Sequence, residues 1–367
     1  MLHGQSRGVD MVPTIRFTSE EVEDGVIGQD TLQKAKNLFN ANGALLLENA
    51  FSSNFVRDLH ACFISRYSAY FDDKVYPDAR HVGDKRNMVT VELEHPFNTP
   101  DLYANPLVFP IIKQLLGRRC IVGSFGAVIS LPGSEDQSIH GDHPRLFDDD
   151  GVGTATPSFA ITLVVPLVEL NETNGTTRMF KGSHLVPLEE AATMDHQDPV
   201  APIGSCLLMD YRLLHGGTAN RSDQVRPILY LVYHRPWFRD CVNFGKQSPL
   251  QMKDREYRRV PGAYRHLFSW ARSGSTPEQL KYERNPAVSE TTVDDEVFLV
   301  EPESEEIFYL DSVTSGLWRL LASPKTLAEA QAVFRDAFPD KDAATVERDV
   351  GVALEDMSAR KLIVTAS

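Results

Sequence analysis

Three ionisable side chains with metal-binding potential stand at short, ordered spacings in this sequence. His140 and Asp142 lie two residues apart in "SIHGDHPRLF", so on extended chain their side chains point to the same side of the backbone. His215 ends a predicted strand in "MDYRLLHGG". Two imidazoles and one carboxylate on one face of a metal form the facial triad that holds Fe(II) and leaves other coordination positions open. The spacing therefore predicts a metal centre at these three residues.

An arginine follows this candidate centre along the chain. Arg226 lies eleven residues after His215, at the start of the next predicted strand. A guanidinium group can hold a carboxylate with two parallel hydrogen bonds, so Arg226 is a candidate anion-binding residue. His143 is expected beside the centre or at the surface, because three protein ligands already complete the triad. Trp237 follows a strand and is expected in the core rather than against a ligand.

The elements that position these residues are mostly strands. Apolar or alternating runs separated by turn residues are typical of sheet strands, and they occur at "RCIVGSFGAVISL", "FAITLVVPLVEL", "GSCLLMDYRLLH" and "RPILYLVYHRPWF". Earlier in the chain, helical periodicity covers "DTLQKAKNLFNANG", "NFVRDLHACFISRYSAYF" and "NPLVFPIIKQLLG". The first of these helices is expected to stop at Asn42-Gly43. Helices followed by strands favour a mainly β fold, a sandwich or jelly roll with helices packed on one side.

A second change in composition marks a separate module near the C-terminus. The stretch 269–296 is polar and turn-rich, as is typical of a linker. Beyond it we predict two short strands, helices at 312–321, 326–337 and 342–360, and a last strand at 362–364. Thr326, three residues before Glu329, is a candidate N-cap. The predicted division is a flexible N-terminus at 1–15, a larger domain at 16–270, a linker at 271–292 and a small αβ domain at 293–367.

Charge and cysteine content narrow the classes of partner. The chain has 37 basic and 51 acidic residues and a net charge of −14, which argues against a broad nucleic-acid interface. Its four cysteines are scattered without a pairing pattern, so we expect reduced thiols and a cytoplasmic location. No apolar run approaches the length that spans a bilayer, so we expect no membrane partner.

Three ordered motifs resemble the phytanoyl-CoA dioxygenase (PhyH) family of Fe(II)/2-oxoglutarate oxygenases, over residues 44–238. The motifs are "HGDHPRLF", "NETNGTTRMFKGSH" and "GSCLLMDYRLLHGGTANRSDQVRPILYLVY". Three blocks in the family's order are a more specific signal than any single motif. The resemblance implies a double-stranded β-helix core, jelly-roll or cupin-like, with flanking N-terminal helices.

Carried onto this sequence, the resemblance assigns the metal ligands. His140, Asp142 and His215 are the implied ligands of Fe(II), with 2-oxoglutarate and O2 as co-substrates. Because Asp142 completes the triad, the resemblance implies an oxygenase that hydroxylates its substrate. Halogenases of this type have a small residue at that position, which leaves room for chloride.

The resemblance also implies residues that hold 2-oxoglutarate. Arg226 is the implied partner of its distal carboxylate. The family often has a small hydroxylic residue shortly after the distal histidine, whereas "HGGT" places glycine there and Thr218 later. Thr218 is therefore a candidate for that supporting role, and Gln137, just before the first histidine, is a further candidate for contact with the co-substrate or the substrate.

The C-terminal module resembles the PqqD-like domain, a small α/β winged-helix fold. The resemblance is carried by "FLVEPESEEIFYLDSVTSGLWRLL", "TLAEAQAVFRDAF" and "VERDVGVALEDMSARKLI". In that family, a leader peptide adds a strand to the exposed sheet edge. We therefore expect residues 293–367 to bind a ribosomal precursor peptide or a carrier protein. A winged helix can also bind DNA, but "EPESEE" in the predicted hairpin makes nucleic acid the weaker interpretation.

The leading hypothesis is an Fe(II)/2-oxoglutarate-dependent dioxygenase that hydroxylates an unactivated C–H bond of a peptide or carrier-bound substrate in natural-product biosynthesis. The first alternative keeps this chemistry on a free small metabolite and makes residues 293–367 a structural or dimerising element, which allows a homodimer. The second alternative is a non-catalytic regulator that binds peptide or DNA. The substrate, the carbon oxidised and the choice between hydroxylation, desaturation and cyclisation are left open by these residues.

Overall fold

The computed structural model describes residues 12–147, 150–244, 248–271, 281–293, 296–300 and 307–365. The chain divides between residues 272 and 273 into two compact units. Of the predicted flexible segment 1–15, residues 1–11 lie outside the described residues. Ile15, by contrast, is buried in the first strand and belongs to the main hydrophobic core.

Within its described residues, the larger unit has ten strands and eight α-helices. The strands are β1 (Thr14–Arg16), β2 (Ala44–Glu48), β3 (Ala79–His81), β4 (Arg86–Thr90), β5 (Ile121–Ser130), β6 (Ala160–Pro166), β7 (Thr177–Met179), β8 (Cys206–Asp210), β9 (His215–Gly217) and β10 (Arg226–His234). The helices are α1 (Ser19–Asp24), α2 (Gln29–Asn42), α3 (Ser53–Tyr67), α4 (Pro100–Tyr103), α5 (Phe109–Leu116), α6 (Asp150–Ala155), α7 (Leu188–Ala191) and α8 (Asp254–Arg259). Short 3-10 turns cover Ser68–Tyr70, Ser183–Leu185 and Gly262–Leu267.

Eight of these strands form one large sheet in the order β1-β2-β8-β6-β10-β5-β4-β3, and β7 pairs with β9 in a small second sheet. All neighbours in the large sheet are antiparallel except β1 and β2. One face of the large sheet packs in the main core with residues of α2, α3 and α5. This is the predicted double-stranded β-helix with flanking N-terminal helices, and the fold class is confirmed.

Strand register decides which side chains share the other face of the large sheet. Along β10, Leu229, Leu231 and Tyr233 enter the main core, so the alternate residues Tyr230 and Val232 face the opposite way and belong to a separate cluster. Across the strands, cross-strand partners lie in rows on that second face. One row joins Arg86, Ser130 and Arg226, and the next joins Arg80, Met88, Val128 and Ile228.

The predicted helix ends are close to those of the structure. Helix α2 stops at Asn42, and Gly43 follows with φ 70°, because a left-handed residue with no Cβ terminates a helix at little steric cost. In the smaller unit, Thr326 caps its helix and forms a full capping box with Glu329. These boundaries follow from local sequence, so they are predicted well.

The described residues of the smaller unit form two three-stranded sheets and three helices. The elements are β11 (Lys281–Arg284), β12 (Ser289–Val293), β13 (Glu296–Val300), β14 (Ile307–Leu310), α9 (Ser312–Leu320), β15 (Lys325–Thr326), α10 (Leu327–Ala337), α11 (Ala343–Ala359) and β16 (Ile363–Thr365). One sheet has the order β12-β13-β14 and the other β15-β11-β16. These elements enclose their own apolar core around Trp318, Phe334 and Leu354, as expected for the predicted winged-helix module.

The predicted linker 271–292 contains regular structure. Strand β11 pairs with β15 and β16, and β12 pairs with β13. Arg284 anchors β11, because its guanidinium stacks 4.8 Å from the Trp318 ring and its Nη1 pairs with Glu290 at 2.9 Å. Strand β12 is an edge strand with exposed residues, whereas β11 is the central strand of its sheet and is mostly only partly exposed. Residues 272–280 lie outside the described part.

All four cysteines are free thiols, and Cys120 and Cys206 are buried. Within the described residues, no helix is both long and apolar enough to cross a membrane.

Candidate metal and co-substrate site

Backbone pairing brings the two predicted histidine ligands together. His140 and His215 form an isolated antiparallel bridge, in which each backbone N–H donates to the other residue's carbonyl at 2.9 and 2.8 Å. Their ring centroids lie 4.6 Å apart. Asp142 follows two residues after His140, and its Oδ1 lies 3.6 Å from His215 Nε2.

The three side chains present atoms suited to one metal ion. One ligand atom from each of His140, Asp142 and His215 lies within 4.8 Å of the other two. The Nδ1 of His140 donates to the carbonyl of Ser138 at 2.7 Å, and the Nδ1 of His215 donates to that of Leu213 at 3.0 Å. Because each Nδ1 donates its proton to the backbone, each Nε2 keeps a lone pair for a metal. The donor set therefore fits Fe(II) in a facial triad.

Two residues that the sequence did not single out hold the carboxylate ligand. Thr162 on β6 donates from its hydroxyl to Asp142 Oδ2 at 2.8 Å. Asn243 donates from Nδ2 to the backbone carbonyl of Asp142 at 2.7 Å. With Oδ2 engaged by Thr162, Oδ1 is the oxygen on the side of His215. No local sequence pattern marks either residue, because both reach Asp142 only through the tertiary fold.

Burial favours the neutral form of the first histidine. The pKa of His140 is lowered from its ordinary value by burial and, next, by the charge of the neighbouring His215. Neutral imidazole is the form that ligates a metal, so this environment favours the ligand state of His140.

Arg226 lies in the same cavity as the triad, with its side chain almost fully buried. Its Nη1 donates to the carbonyls of Asn174 and Thr218 at 3.0 and 3.2 Å, and its Nη2 donates to Ser130 Oγ at 2.7 Å. Burial, and then the like charge of Arg86, lowers the pKa of Arg226 to about 9. Arg226 has no carboxylate contact among the described residues. An anion bound beside this buried cation would therefore stabilise its charge.

A second buried arginine accompanies Arg226. Arg86 on β4 donates from Nε to Ser130 Oγ at 3.0 Å, from Nη1 to the Glu135 carbonyl and from Nη2 to the Thr218 carbonyl, both at 2.6 Å. Its pKa is also lowered, chiefly by burial. Arg86 was not predicted from the sequence, because its side chain reaches Arg226 only through the registers of β4, β5 and β10.

The two remaining predicted co-substrate residues occupy different positions. Gln137 lines the cavity, where its Nε2 donates to the Val82 carbonyl at 2.7 Å and its Oε1 accepts from Gly217 N at 3.0 Å. The hydroxyl of Thr218 instead accepts from Thr176 N at 2.7 Å. The backbone carbonyl of Thr218, rather than its hydroxyl, touches both arginines.

Gly217 leaves space among the polar groups. A Cβ atom at this position would lie 3.3 Å from Arg86 Nε, 3.3 Å from Gln137 Oε1 and 3.4 Å from Arg226 Nη2. A side chain here would therefore enter the region between the two guanidinium groups. The glycine keeps open a small polar cradle beside two guanidinium groups, whose charge suits a carboxylate.

The triad and both arginines open into one cavity of about 990 Å³. Beyond the polar base its wall is largely apolar, with side chains that include Met88, Val128, Val164, Met209, Leu214, Ile228, Tyr230 and Val232. This volume reaches the upper end of the range for small-molecule sites, about 300–1,000 Å³. The cavity therefore has room for a bulky apolar group as well as a small dicarboxylate.

A buried ion pair supports the loop between β8 and β9, which leads to His215. Arg212 Nε lies 2.9 Å from Asp210 Oδ1, and both side chains are almost fully inaccessible. Arg212 Nη1 also donates to the carbonyls of Gly153 and Thr156, at 3.2 and 2.6 Å. The pair thereby ties α6 to the chain just before the second histidine ligand.

The locations of two ring side chains near the site, His143 and Trp237, were predicted from the sequence. His143 lines the cavity beside Asp142 and packs edge-on against Phe238, with ring centroids 5.0 Å apart. Trp237 was expected in the core, but its side chain is 62% exposed, so that prediction was wrong. The adjacent Phe238, at 3% exposure, takes the buried position in the turn after β10, where its N–H donates to the Arg235 carbonyl at 3.0 Å.

The large sheet, the small second sheet and the triad between them define a double-stranded β-helix protein with a two-histidine, one-carboxylate metal site. Residues 39–228 match the family model of phytanoyl-CoA dioxygenase (PhyH), and the chain belongs to that family. Residues 296–363 match the model described as coenzyme PQQ synthesis protein D (PqqD). Both predicted resemblances are confirmed.

Individual curated relatives share only 28–31% sequence identity with parts of this chain. "Dioxygenase FUM3" of Gibberella moniliformis is 28% identical over 127 residues, which cover 34% of this chain and 39% of the relative. "Dioxygenase trt7" of Aspergillus terreus is 29% identical over 153 residues, covering 40% and 53%. "Iron/alpha-ketoglutarate-dependent dioxygenase okaE" of Penicillium ochrochloron is 31% identical over 98 residues, covering 26% and 33%. The chain thus spans about half or less of the length of these curated relatives.

Among solved structures, the epimerase SnoN in complex with Fe3+, alpha ketoglutarate and nogalamycin RO is 17% identical, with 61% of this chain and 94% of SnoN covered and a TM-score of 0.47. HygX from Streptomyces hygroscopicus, with nickel and 2-oxoglutarate bound, is 18% identical, with coverage of 59% and 90% and a TM-score of 0.43. Overlaps of this extent add nothing to the family assignment.

Proposed function

We propose that this protein is an Fe(II)- and 2-oxoglutarate-dependent dioxygenase that hydroxylates an unactivated C–H bond of a peptide or carrier-bound substrate in natural-product biosynthesis. One observation carries the catalytic part of the proposal. The free ligand atoms of His140, Asp142 and His215 lie within 4.8 Å of one another, in the cavity that also holds Arg86 and Arg226.

Each polar group at the base of the cavity has a distinct task in this reaction. Bound Fe(II) would supply the redox chemistry by which one O2 oxidises 2-oxoglutarate, to succinate and carbon dioxide, and the substrate C–H bond, to an alcohol. The triad holds the metal, and Thr162 orients its carboxylate ligand. Arg86 and Arg226 bind the distal carboxylate, and the apolar wall positions the substrate and excludes water.

The substrate class is proposed from the smaller unit. Strand β14 is an edge of the β12-β13-β14 sheet, and its Ile307 and Tyr309 side chains are 70% and 56% exposed. Side chains two residues apart on a strand share one face, so an apolar surface accompanies this edge strand. An extended peptide can add to such an edge by β-augmentation.

A second candidate keeps the chemistry on a free small metabolite, with the smaller unit structural or dimerising. The cavity of about 990 Å³ favours it, because a small molecule could enter without help from a peptide carrier.

The catalytic proposal is tested by anaerobic absorption spectroscopy. Fe(II) and then 2-oxoglutarate are added to the wild-type protein and to His215→Ala and Arg226→Ala. We expect a visible charge-transfer band for wild type, no band for His215→Ala, and a band for Arg226→Ala only at much higher 2-oxoglutarate. A folded, iron-loaded wild type without a band would contradict the proposal and favour a non-catalytic binding protein.

The substrate class is tested on the full chain with a random peptide display library. We expect enriched peptides to bind wild type and to lose affinity for Tyr309→Glu. The matched control is Val333→Glu, which places the same charge at another exposed apolar residue, 46% exposed, on α10. If no peptide distinguishes Tyr309→Glu from the control, the free-metabolite candidate leads.

A further inference from the structure

The cavity has a charge pattern opposite to that of the whole chain. The protein carries 14 more acidic than basic residues. Among the described residues that line the cavity, however, there are five arginines and one carboxylate, and that carboxylate is the metal ligand Asp142. The arginines are Arg80, Arg86, Arg145, Arg212 and Arg226. A cationic lining in an acidic protein points to anionic ligands.

Four of these arginines are assigned to the co-substrate or are held by contacts within the protein. Arg212 is paired with Asp210 at 2.9 Å. Arg86 and Arg226 flank the cradle assigned above to the distal carboxylate of 2-oxoglutarate. Arg145 donates to the backbone carbonyl of Val186. Arg80 has no part in any of these contacts.

Arg80 stands on the cavity face of the sheet, at its outer edge. It lies on β3, the terminal strand, opposite Met88 on β4. Met88 in turn lies opposite Val128 on β5, and both apolar side chains line the cavity. Because directly opposed residues in an antiparallel sheet share a face, Arg80 ends an apolar row that runs across the substrate region.

The guanidinium group of Arg80 is oriented but not neutralised. Its Nη1 donates to the backbone carbonyl and to Oδ1 of Asn243, at 3.1 and 3.2 Å. Its Nε and Nη2 have no hydrogen-bond partner in the described part of the chain, and no carboxylate there lies within ion-pair distance. Asn243 also binds the Asp142 carbonyl, so one residue links the Arg80 guanidinium to the metal-ligand segment.

The carboxylate next to Asn243 is already fully engaged. Asp240 accepts from the Tyr211 hydroxyl at 2.6 Å and from Asn243 Nδ2 at 2.9 Å. It also accepts from the backbone N–H groups of Val242 and Asn243, each at 3.0 Å. Asp240 therefore builds the turn that holds Arg80 without supplying it with a counter-charge.

We propose that Arg80 binds an anionic group of the substrate, a carboxylate or a phosphate ester, while the apolar part of the substrate lies along Met88 and Val128 toward the metal. Tyr230 lines the same cavity, and its buried hydroxyl has no hydrogen-bond partner among the described residues. The proposal rests on the proposed function, since it names the substrate chemistry of that site.

The test measures binding of matched probes to the full chain loaded anaerobically with Fe(II) and saturating 2-oxoglutarate. The probes are 4-phenylbutanoate and its primary amide, and 4-phenylbutyl phosphate and the parent alcohol. Isothermal titration calorimetry is run on wild type, Arg80→Gln and Arg57→Gln. Arg57 is an exposed arginine on α3 that contacts Asn54, so it controls for loss of one positive charge.

We expect the wild type to bind at least one anionic probe on the order of tenfold more tightly than its neutral partner, because a charge-assisted hydrogen bond contributes about that much. Arg80→Gln should remove this preference and leave the affinity for 2-oxoglutarate unchanged, while Arg57→Gln should retain it. A preference confined to the carboxylate pair indicates a peptide or free-acid source, and one confined to the phosphate pair indicates a phosphorylated carrier arm.

Two results would overturn the proposal. One is the absence of any anionic preference in wild type, including failure of every anionic probe to bind. The other is a preference that survives Arg80→Gln. The charge-transfer band of the 2-oxoglutarate complex is recorded in each sample, so loss of the band signals failure of the proposed function and an intact band without preference signals failure of this inference alone.

Discussion

Arg86 and Arg226 donate hydrogen bonds to the same hydroxyl group, Ser130 Oγ, at 3.0 and 2.7 Å. They lie on β4 and β10, the two strands that flank β5, in one row of the sheet. Two buried guanidinium groups this close repel each other, and burial adds a desolvation cost. The arrangement is therefore favoured when an anion lies beside both cations.

The first prediction concerns the affinity for 2-oxoglutarate. Arg86→Gln and Arg226→Gln should each raise the Kd for 2-oxoglutarate by on the order of tenfold to a hundredfold, because each removes a charge-assisted contact. Anaerobic titration of the charge-transfer band measures both values. Arg57→Gln should leave the Kd unchanged. An unaltered Kd in Arg86→Gln would assign that arginine a purely structural role.

The second prediction concerns the hydrogen bond from Thr162 to the carboxylate ligand. Thr162→Val keeps the shape of the side chain but removes the donor to Asp142 Oδ2. Loss of such a supporting contact weakens metal binding by about 10–100-fold. Competition with a metal-binding dye measures the Fe(II) affinity. Thr162→Ser retains the hydroxyl and should stay close to wild type, and equal affinities in all three proteins would refute the prediction.

The third prediction concerns the buried ion pair beside α6. Asp210→Asn leaves the Arg212 guanidinium buried without its counter-charge, which costs about 3–5 kcal/mol in the free energy of unfolding. Urea denaturation measures this loss. The matched control is Asp198→Asn, which breaks the more exposed pair with Arg178 and should cost only about 0–1 kcal/mol. Similar losses in the two variants would contradict the assignment.

The fourth prediction concerns the pH dependence of stability. Burial lowers the pKa of His184 below its ordinary value of 6.5, so the unfolded chain binds a proton more readily than the folded one. Above about pH 6.5 the His184 side chain is neutral in both the folded and the unfolded chain, so it does not lower the free energy of unfolding. That free energy falls as the pH decreases from about 6.5 toward the folded-state pKa, because the unfolded chain then binds the proton first. Thermal unfolding between about pH 8 and pH 5 measures the slope.

His184→Gln should reduce that slope, whereas His266→Gln, at an exposed position, should not. Part of the native slope is expected to persist in His184→Gln, because His234 is also buried with a lowered pKa. A slope in His184→Gln identical to that of wild type would show that His184 is not among the groups that take up protons on unfolding.

Much of the site could be predicted because its strongest signals are local. His140 and Asp142 are only two residues apart and both reach the metal site, and the motif around His215 and Arg226 is contiguous. The helix stop at Gly43 and the cap at Thr326 likewise depend on a few neighbouring residues. Short-range patterns of this kind survive in any correct fold, so they can be read before the fold is known.

The sequence by itself determined the fold family, the metal-ligand candidates and the boundaries of the capped helices. Tertiary structure alone decided that Arg86 joins Arg226 through Ser130, that Thr162 holds Asp142, and that Arg80 faces the cavity. The physical reason is strand register. Shifting a strand by one residue turns its side chains to the opposite face of the sheet, so contacts between distant strands are set only when the whole sheet pairs.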